Sequence, residues 1–535
     1  MLEFDYIIVG AGSAGCVLAD RLSESGRNTV LVLEAGGSDR RFWIKLPIGY
    51  GRTFHDERVN WKFHTEPDPG LNGRSIYWPR GKVVGGSSSI NALVYIRGLP
   101  GDFDDWRDAG NPGWGWSDVE PWFRRSERMI FGRESRGEGS LHVAHVAAEM
   151  HPLNRHYLAA AAEIGLPRTD DFNGPDPEGV GFYSITVRNG MRWSAADAFL
   201  RPALRRRNCT LVTSAMVDRV RLDGRRAVAV EYRVRGNPVV ARARREIILS
   251  AGAVCTPAIL QRSGIGPGAL LQQHGVPVVV DNPAVGRNLQ DHLAVTYSFR
   301  SRERTLNDLL STRRGQLRAG LHYVATRRGP LSLSVNQGGG FIRSDPQAPR
   351  PNLQLYFNPL TYEASEAGGR TQNRIHGYSA FSISFQPCRP TSRGRIGIAS
   401  KDPLEPPRIE PNYLSTDDDV QEVVSGGRLL RRFVESAAMQ SLIAESLAPR
   451  LQELSDAGVV ADFRARGSTV YHPVGTCRMG KDAGVAAVDP DLRVHGAEAL
   501  RVIDASVFPN VTSGNTNAPT IMVAQKGADL ILQGA

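Results

Sequence analysis

The sequence predicts an α/β protein that contains a Rossmann-like nucleotide-binding domain with a β-meander. Three observations support this fold class. The first 34 residues place a glycine-rich loop and a helix pattern between two apolar strand patterns. The stretch 217–249 alternates apolar and polar residues around two turn signals. The chain of 535 residues is long enough for several domain-sized units, and its 41% hydrophobic and 22% charged residues are typical of globular proteins.

The N-terminal unit has the order strand, glycine loop, helix, strand. Residues 6–9 are a short apolar run, and residues 10–15 follow with the pattern G-x-G-x-x-G. Residues 16–23 carry apolar side chains at helical spacing, and residues 29–33 form a second apolar run that ends at Glu34. The whole arrangement within about 30 residues is far more specific than the glycine motif alone, and it predicts a bound dinucleotide.

Each part of this unit has a physical role in holding the ligand. Gly10 permits the tight turn, Gly12 lets the backbone approach a pyrophosphate, and Gly15 lets the helix pack closely on the strand. The N-terminus of the helix presents unpaired N–H groups to the phosphates. Glu34 is placed to accept hydrogen bonds from ribose hydroxyls, which disfavours the phosphorylated ribose of NADP. The unit alone leaves FAD and NAD both open.

The stretch 217–249 is predicted to be a three-stranded antiparallel meander with one solvated face. Asp223-Gly224 marks its first turn and residues 236–238 its second. Residues 201–250 hold thirteen arginines and four acidic residues, so they carry nearly all of the net charge of +10. No nucleic-acid-binding motif accompanies the arginines, so nucleic acid is not an expected partner. Attraction to an anionic membrane surface stays open.

Composition also limits where the protein is expected. No apolar run approaches the roughly 20 residues that span a bilayer, and the N-terminal residues lack the basic and apolar regions of a signal peptide. The five cysteines include no C-x-x-C pair and are interpreted as reduced thiols. We therefore expect a cytoplasmic protein, with peripheral attachment to the inner face of a membrane as an open alternative.

A second glycine-rich segment, residues 79–91, interleaves small residues with Val83, Val84 and Ile90. Small residues in series let backbone N–H groups close on a flat or anionic ligand. The interleaved apolar residues argue against a flexible linker. This segment is therefore predicted to contribute to the same ligand site.

Five long blocks of the sequence carry a resemblance to a known family. They are residues 81–104, 252–266, 285–292, 471–476 and 515–519. Together with the N-terminal unit, they make the chain resemble the glucose–methanol–choline (GMC) oxidoreductases, flavoproteins that oxidise alcohols. The resemblance spans the chain and is strongest for the choline-dehydrogenase-like and alcohol-dehydrogenase-like branch.

The resemblance implies FAD and two domains, each assembled from separate segments. The FAD-binding domain comprises residues 1–150, 205–295 and 468–535, the last of these being the catalytic part. The substrate domain comprises residues 151–204 and 296–467 and is built on an antiparallel sheet flanked by helices. Residues 352–357 and 378–386 alternate in the way that suits strands of that sheet.

The resemblance places the chemistry on two residues near the C-terminus. Alcohol oxidation needs a base, a donor to the developing alkoxide and a hydride acceptor, and the flavin is the acceptor. His472 is implied to be the base, because the pKa of an imidazole lies near working pH. Asn515 stands where some relatives have histidine. An amide does not titrate, so Asn515 is implied to orient the substrate oxygen.

The implied contacts with FAD come from all three segments of its domain. In the two glycine-rich segments they are Gly10, Gly12, Ser13, Ala14, Gly15, Glu34, Ala35, Val83, Gly86, Ser87, Asn91, Ala92, Leu93 and Val94. Elsewhere they are Val217 beside adenine, Tyr471, Asp504, Ala505, Asn517 and Pro519. Pro519 is typical of the first turn of a helix, whose N-terminal dipole would stabilise negative charge on the reduced flavin. Some relatives attach FAD through a histidine where this chain has Ile90, so non-covalent FAD is expected.

Two further groups of residues have a spacing that suggests other chemistry. His142, His145, His151 and His156 have a metal-like spacing, but only Glu149 adds a ligand type nearby. We expect no metal there, but a polar loop that leads into the first helix of the substrate domain. Cys477 lies five residues from His472, and that spacing alone does not predict a nucleophile pair.

The expected function is FAD-dependent oxidation of a primary alcohol to an aldehyde. A quinone, another acceptor or oxygen takes the electrons, and residues 471–476 resemble dehydrogenase members more. A lyase of the same fold stays an alternative, either a hydroxynitrile lyase or a light-driven fatty-acid decarboxylase, although His472 argues against the latter. Aliphatic, aromatic and furanic alcohols and choline stay open as substrates. The aromatic candidates for a choline cage are Trp61, Tyr356, Phe357 and Tyr471.

Overall fold

The computed structural model of the chain describes residues 2–367 and 370–534. Its strands are β1 (Leu2–Val9), β2 (Val30–Glu34), β3 (Phe63–His64), β4 (Tyr77–Trp78), β5 (Glu127–Phe131), β6 (Glu134–Arg136), β7 (Leu141–His145), β8 (Gly179–Phe182), β9 (Val187–Arg188), β10 (Met191–Arg192), β11 (Cys209–Thr213), β12 (Ala215–Asp223), β13 (Arg226–Val234), β14 (Asn237–Leu249), β15 (Ile265–Gly266), β16 (Val280–Asp281), β17 (Arg287–Leu289), β18 (Leu293–Ser301), β19 (Gly338–Ile342), β20 (Leu353–Asn358), β21 (Tyr362–Ala367), β22 (Arg370–Ile375), β23 (Ala380–Pro387), β24 (Gly394–Gly397), β25 (Arg408–Glu410), β26 (Ile443–Ser446), β27 (Ser468–Thr469) and β28 (Leu500–Val502).

The α-helices range from single turns to nineteen residues. They are α1 (Ser13–Ser23), α2 (Phe42–Lys45), α3 (Tyr50–Thr53), α4 (Pro100–Asp108), α5 (Trp116–Ser126), α6 (Asn154–Glu163), α7 (Arg201–Ala203), α8 (Gly252–Arg262), α9 (Gly268–Gln273), α10 (Leu306–Leu310), α11 (Arg313–Thr326), α12 (Asp417–Glu435), α13 (Ala437–Leu442), α14 (Asp456–Arg466) and α15 (Asn517–Gln533). No helix of the described part is both long enough and apolar enough to cross a bilayer.

The first large sheet has seven strands in the order β11-β2-β1-β14-β13-β12, with β28 also beside β14. The strands β11, β2, β1 and β28 and the end of β14 run parallel, whereas β12, β13 and β14 form an antiparallel meander. The second half of β1 and all of β2 are buried, because helices cover them. The predicted α/β class, nucleotide-binding unit and meander are therefore confirmed.

The helices α1 and α15 pack side by side on this sheet, and the Arg21 guanidinium donates to Gln525 Oε1 across them (2.9 Å). Gly15 lies where α1 comes close to the loop after β1. A Cβ atom on Gly15 would lie 1.8 Å from the carbonyl oxygen of Gly10, so no larger residue fits there without moving the backbone. The predicted reason for this glycine is thus visible in the structure.

The second large sheet is antiparallel, in the order β26-β18-β23-β20-β19-β8, with β27 beside the start of β18. Phe357, Phe381 and Phe385 on its central strands belong to a second core, which also includes Phe433 of α12 and Phe463 of α14. The two stretches expected to be strands correspond to β20 and β23. The pairing of β18 with β27 matters for function, because it brings residues 291–292 next to residues 470–472.

The arginines of residues 201–250 are largely paired. Seven of the thirteen have a carboxylate within 4.0 Å, and some of these acids lie in other parts of the chain. The seven are Arg201, Arg206, Arg219, Arg221, Arg226, Arg233 and Arg244. These ion pairs neutralise part of the positive charge of residues 201–250. Less of that charge is therefore available to attract an anionic partner than the sequence count suggests.

The segment 142–145 was expected to be part of a polar loop, and the structure corrects this. His142 and His145 lie in β7, which pairs with β5, because Leu141 and Val143 alternate with them and are buried. His156 lies on α6 and its Nε2 contacts Glu303 (2.8 Å). Among the described residues, no three histidine, cysteine or acidic side chains are arranged as metal ligands.

Candidate active site

A cavity of about 620 Å³ lies between the carboxyl ends of the parallel strands and the start of α15. All but three of the residues implied to contact FAD or to carry the chemistry line this cavity. The three exceptions are Gly15, which packs under the loop as described, and Val83 and Pro519, which are buried behind the wall. The structure thus brings together side chains from the N-terminal unit, the second glycine-rich segment, β12 and the C-terminal segment.

Glu34 is held at the end of β2 by the loop that follows β1. Its carboxylate accepts hydrogen bonds from the backbone N–H of Ala11 (2.9 Å) and of Gly36 (2.8 Å). Burial raises the pKa of Glu34 to about 7, and the two N–H groups oppose that rise. Glu34 is therefore fixed in position and lines the cavity at the end expected for a ribose.

Two glycine segments meet over the middle of the cavity. A Cβ atom on Gly86, whose φ is +54°, would lie 2.7 Å from the Cα atom of Gly12. Only glycine at position 86 lets the second segment approach the phosphate loop this closely. Both residues line the cavity, so their bare backbones face the place where a pyrophosphate is expected.

The N-termini of α1 and α15 meet at the cavity. The hydroxyl of Ser13, the first residue of α1, donates to Oδ1 of Asn517, the first residue of α15 (2.7 Å). Two positive helix ends therefore face one ligand site, which favours negative charge there. The predicted start of a helix close to Pro519 is confirmed.

Asp504 organises the segment after β28. Its carboxylate accepts hydrogen bonds from Gly252 N (2.8 Å), from the Thr256 hydroxyl (2.6 Å) and from Ser506 N (2.8 Å). Burial raises the pKa of Asp504, and these donors oppose that rise. Asp504 and the adjacent Ala505 both line the cavity.

The side chains of His472 and Asn515 are in contact at the other end of the cavity. The Nδ2 atom of Asn515 lies 3.0 Å from Nε2 of His472. The other ring nitrogen, Nδ1 of His472, lies 3.0 Å from Nδ1 of His292, and the two rings are perpendicular. Nε2 of His292 lies 2.8 Å from the carbonyl oxygen of Cys388. Four groups thus form one continuous chain of hydrogen bonds.

The carbonyl at the end of this chain fixes the protons on both rings. A carbonyl oxygen only accepts, so Nε2 of His292 carries hydrogen and Nδ1 of the neutral ring is an acceptor. Nδ1 of His472 must then donate to it, which leaves a lone pair on Nε2 of His472. The Asn515 amide donates to that lone pair, and its Oδ1 has no hydrogen-bond partner in the described part of the chain.

Both imidazoles are neutral near pH 7, because the protein removes them from water. His472 is only 6% exposed, and burial lowers its pKa well below 6.5, with His292 and Arg80 adding to the effect. Burial lowers the pKa of His292 to about 4. Neutral His472, with the lone pair of Nε2 towards Asn515 and the cavity, is the protonation state that a general base requires.

Asp291 clamps the backbone turn that carries His472. It accepts a hydrogen bond from His472 N (2.8 Å) and from the hydroxyls of Thr469 and Tyr413 (2.5 Å each). Burial raises the pKa of Asp291 to about 6, so the carboxylate is ionised at neutral pH. Tyr471 has a φ of +73° in this turn, and Arg80 donates to its carbonyl oxygen (2.9 Å).

The roles of His292 and Asp291 were not predicted. The block 285–292 carries part of the family resemblance, but the sequence alone predicts no chemical role for His292 or Asp291. His292 lies 180 positions from His472, and only the pairing of β18 with β27 brings them together. Cys477, by contrast, is fully buried, and its backbone N–H donates to Ser506, so the structure provides no contact with His472.

The aromatic candidates for a choline cage do not form one group. Trp61, Tyr356 and Tyr471 line the cavity, but Phe357 is fully buried in the second core. The ring of Trp61 has the ammonium of Lys82 4.6 Å from its centroid and stacks on another aromatic ring.

Two comparisons agree with this architecture. Family models described as GMC oxidoreductase match residues 4–294 and residues 390–524. The "Alcohol dehydrogenase [acceptor]" of Pseudomonas putida is 42% identical, with 99% of this chain and 96% of that protein covered. The "Oxygen-dependent choline dehydrogenase" of Vibrio vulnificus is also 42% identical, with 99% and 94% covered.

A solved structure extends the likeness to the whole fold. The formate oxidase of Aspergillus oryzae, in a variant studied for its effect on FAD modification, has a TM-score of 0.91 to this chain. The two are 26% identical, with 100% of this chain and 98% of that one covered. The described cavity thus lies in a fold shared with an FAD enzyme.

Proposed function

The chain belongs to the GMC oxidoreductase family and takes FAD, and from that premise we propose that it oxidises an uncharged primary alcohol to an aldehyde with His472 as the base. The observation that carries this proposal is the lone pair of Nε2 of His472, held next to the Asn515 amide at the cavity. The other contacts of the two histidines exclude the tautomer that would place hydrogen on Nε2.

The residues of the cavity fit FAD. Glu34 suits the ribose, the close pair Gly12 and Gly86 suits the pyrophosphate, and the helix ends at Ser13 and Asn517 suit negative charge. Among the described residues, Oδ1 of Asn515 has no hydrogen-bond partner, and Tyr356, whose hydroxyl interacts with the Asn515 side chain, lines the same cavity. This part of the cavity therefore suits a polar group of a ligand beside His472. When bound, FAD supplies the acceptor for the hydride that leaves the carbinol carbon.

The protein's own share of the reaction is proton transfer and charge stabilisation. Nε2 of His472 takes the hydroxyl proton, and the Nδ2–H group of Asn515 stabilises the negative charge that develops on the substrate oxygen. The resulting imidazolium keeps its Nδ1–H group on His292, which accepts this hydrogen bond more strongly from a cation. Asp291 keeps the turn in place during the transfer.

The surroundings of Trp61 and of the cavity carboxylates are the reason why we favour an uncharged alcohol over choline. Recognition of a quaternary ammonium requires open aromatic faces or an unpaired carboxylate. The Trp61 ring already has the ammonium of Lys82 4.6 Å from its centroid and the ring of Phe63 stacked at 5.6 Å. Among the described residues that line the cavity, the carboxylates are Glu34, Asp504 and the exposed Glu405, and the first two are fixed by backbone N–H groups.

A quinone-type acceptor rather than oxygen is part of the proposal. The relative from Pseudomonas putida is named for an acceptor and not for oxygen, which supports this choice. The equally similar relative from Vibrio vulnificus is named oxygen-dependent, so the assay compares both acceptors. We also propose that FAD is bound non-covalently, because Ile90, which lines the cavity, offers no nucleophile for attachment.

Steady-state assays with primary alcohols test the proposed function. Aldehyde formation is measured with a soluble quinone analogue and, separately, with oxygen, using hexanol, benzyl alcohol and choline as substrates. We expect turnover of hexanol or benzyl alcohol with the quinone, and little turnover with oxygen or choline. Preference for choline would contradict the substrate class, and fast turnover with oxygen alone would contradict the acceptor. Yellow colour that stays on acid-precipitated protein would contradict non-covalent binding.

A further inference from the structure

The helix α11 exposes an apolar stripe that the core does not explain. Leu317, Leu321 and Val324 are 65%, 64% and 70% exposed. Their spacing of four and three residues places them on one face of the helix. Soluble proteins expose single apolar residues often, but a contiguous exposed apolar patch is a feature that marks interaction sites.

This face points away from the protein. Ala319 and Tyr323 are the buried residues of α11. Leu321 is two positions from each of them, which is about 200° around a helix of 3.6 residues per turn. The stripe is therefore opposite to the packed side, and only something outside the described chain can cover it.

The charged residues on α11 and just after it are all basic. Arg313, Arg314, Arg318, Arg327 and Arg328 lie on or just after α11, and residues 311–330 contain no acidic residue. Unlike most arginines of the meander, none of these five has a carboxylate within 4.0 Å in the described part of the chain. Arg327 instead lies over the ring of Tyr323, 5.2 Å from its centroid.

A second exposed apolar pair lies on α2, and the residues after α2 share an apolar cluster with α11. Phe42 and Trp43 of α2 are 67% and 43% exposed. The two regions are linked, because Ile48 and Tyr50, just after α2, pack against the same apolar cluster as Ala319 of α11. Tyr50 also lines the cavity, so this region adjoins one wall of the candidate active site.

We propose that α11, together with Phe42 and Trp43, is a docking surface for an anionic lipid bilayer. An apolar stripe flanked by arginines matches the apolar and negatively charged layers of such a membrane, and tryptophan favours the interface between them. A second copy of the chain is a poor match, because a twofold contact would place five unpaired arginines against the same five. Docking here would bring the cavity wall that includes Tyr50 near quinones dissolved in the membrane. This part of the proposal rests on the proposed function, in which a quinone-type compound is the electron acceptor.

Vesicle sedimentation with the full FAD-loaded protein, without alcohol, tests this proposal. We expect binding to vesicles of phosphatidylcholine and phosphatidylglycerol, weak binding to pure phosphatidylcholine, and weaker binding at high salt. The triple variant L317S/L321S/V324S should bind at least about 100-fold more weakly, since each buried apolar side chain is worth about a factor of ten or more. The charge variant R314Q/R318Q/R328Q should also weaken binding.

Two matched controls keep the test specific. The variant R207Q/R225Q/R235Q removes three exposed arginines near and within the meander, and L204S/V278S/V485S removes three exposed apolar side chains elsewhere. Both should bind vesicles as the wild type does. Loss of binding in the meander variant but not in the α11 variants would overturn the proposal. A wild-type protein that does not bind anionic vesicles would also overturn it. The proposal would likewise fail if the wild type self-associates and the α11 apolar variant does not, because the stripe would then be an interface between copies of the chain.

The vesicle result is independent of the proposed function. Turnover with a soluble quinone analogue, but no vesicle binding, would overturn only the docking surface. Vesicle binding without turnover of any alcohol would leave the surface supported and overturn the proposed reaction. The α11 variants should keep turnover with the soluble acceptor, because none of their residues lines the cavity.

Discussion

Replacing His292 by leucine removes the acceptor on which the proton arrangement of His472 depends. In the wild type, Nδ1 of His292 accepts from His472 (3.0 Å), and Nε2 donates to Cys388 (2.8 Å). Leucine leaves the Nδ1–H group of His472 buried without a partner. Either tautomer of His472 is then possible, and the imidazolium formed during catalysis loses a charge-assisted hydrogen bond.

The expected loss follows from the strength of that bond. A hydrogen bond to a charged group contributes about 1.5–3 kcal/mol, so the rate constant should fall roughly 10- to 150-fold. The assay is anaerobic stopped-flow reduction of the bound FAD by a primary alcohol, followed by the bleaching of its visible absorbance. The variant H292N is the matched control, because its Oδ1 can accept at the position of Nδ1.

We expect H292N to reduce FAD much closer to the wild-type rate than H292L does, and to restore the pH profile. Equal slow rates in both variants, with normal FAD content, would indicate that only the packing of His292 matters. A wild-type rate in H292L would exclude the hydrogen bond from His472 to His292 as a contributor to the reaction. Thermal unfolding of both variants separates a general loss of stability from an effect on the chemistry.

Three further predictions follow from the same contacts. H472Q should bind FAD but lose reduction by alcohol, whereas reduction by dithionite should persist; a rate near that of the wild type would exclude His472 as the base. The value of kcat/KM should stay level as the pH falls to 6.5 and decline only at lower pH, because burial lowers the pKa of His472; a midpoint above pH 6.5 would contradict this. The free energy of unfolding of the wild type should fall more steeply than that of H292L as the pH drops from 6.5 towards 4, because the unfolded chain binds protons at His292 and His472 that the folded protein, with a His292 pKa of about 4, does not. Burial raises the pKa of Glu34 to about 7 and that of Asp291 to about 6, and these two carboxyls contribute with the opposite sign in both proteins, so chemical denaturation at several pH values compares the slopes of the two.

The local parts of the site were predictable from the sequence. The roles of Gly15 and Glu34 depend on a strand, a loop and a helix that are adjacent in the chain, so spacing carries the information. The two-turn meander was predictable for the same reason. The chemical roles of His472 and Asn515 were implied by the resemblance of the chain to a family. The structure places Nδ2 of Asn515 3.0 Å from Nε2 of His472.

What the sequence could not predict depends on contacts between distant segments. The protons of His472 are set by His292 and, beyond it, by a backbone carbonyl at Cys388, which has no signature in a sequence. The sequence of residues 201–250 suggests an unpaired basic patch, because some acids that pair with its arginines, such as Asp20 and Asp5, lie far away in the chain. The exposure of the apolar stripe of α11 could not be predicted either, because helical spacing of apolar residues does not distinguish a buried face from an exposed one.

The most direct test of the central claim is an anaerobic titration of the purified, FAD-loaded protein with primary alcohols, read from the visible spectrum of the flavin. We expect the flavin absorbance of the wild type to bleach with hexanol or benzyl alcohol, and that of H472Q to persist. A yellow wild-type protein that no alcohol of the panel bleaches, although dithionite does, would contradict the proposed oxidation. Equal bleaching in both proteins would contradict the role of His472 as the base.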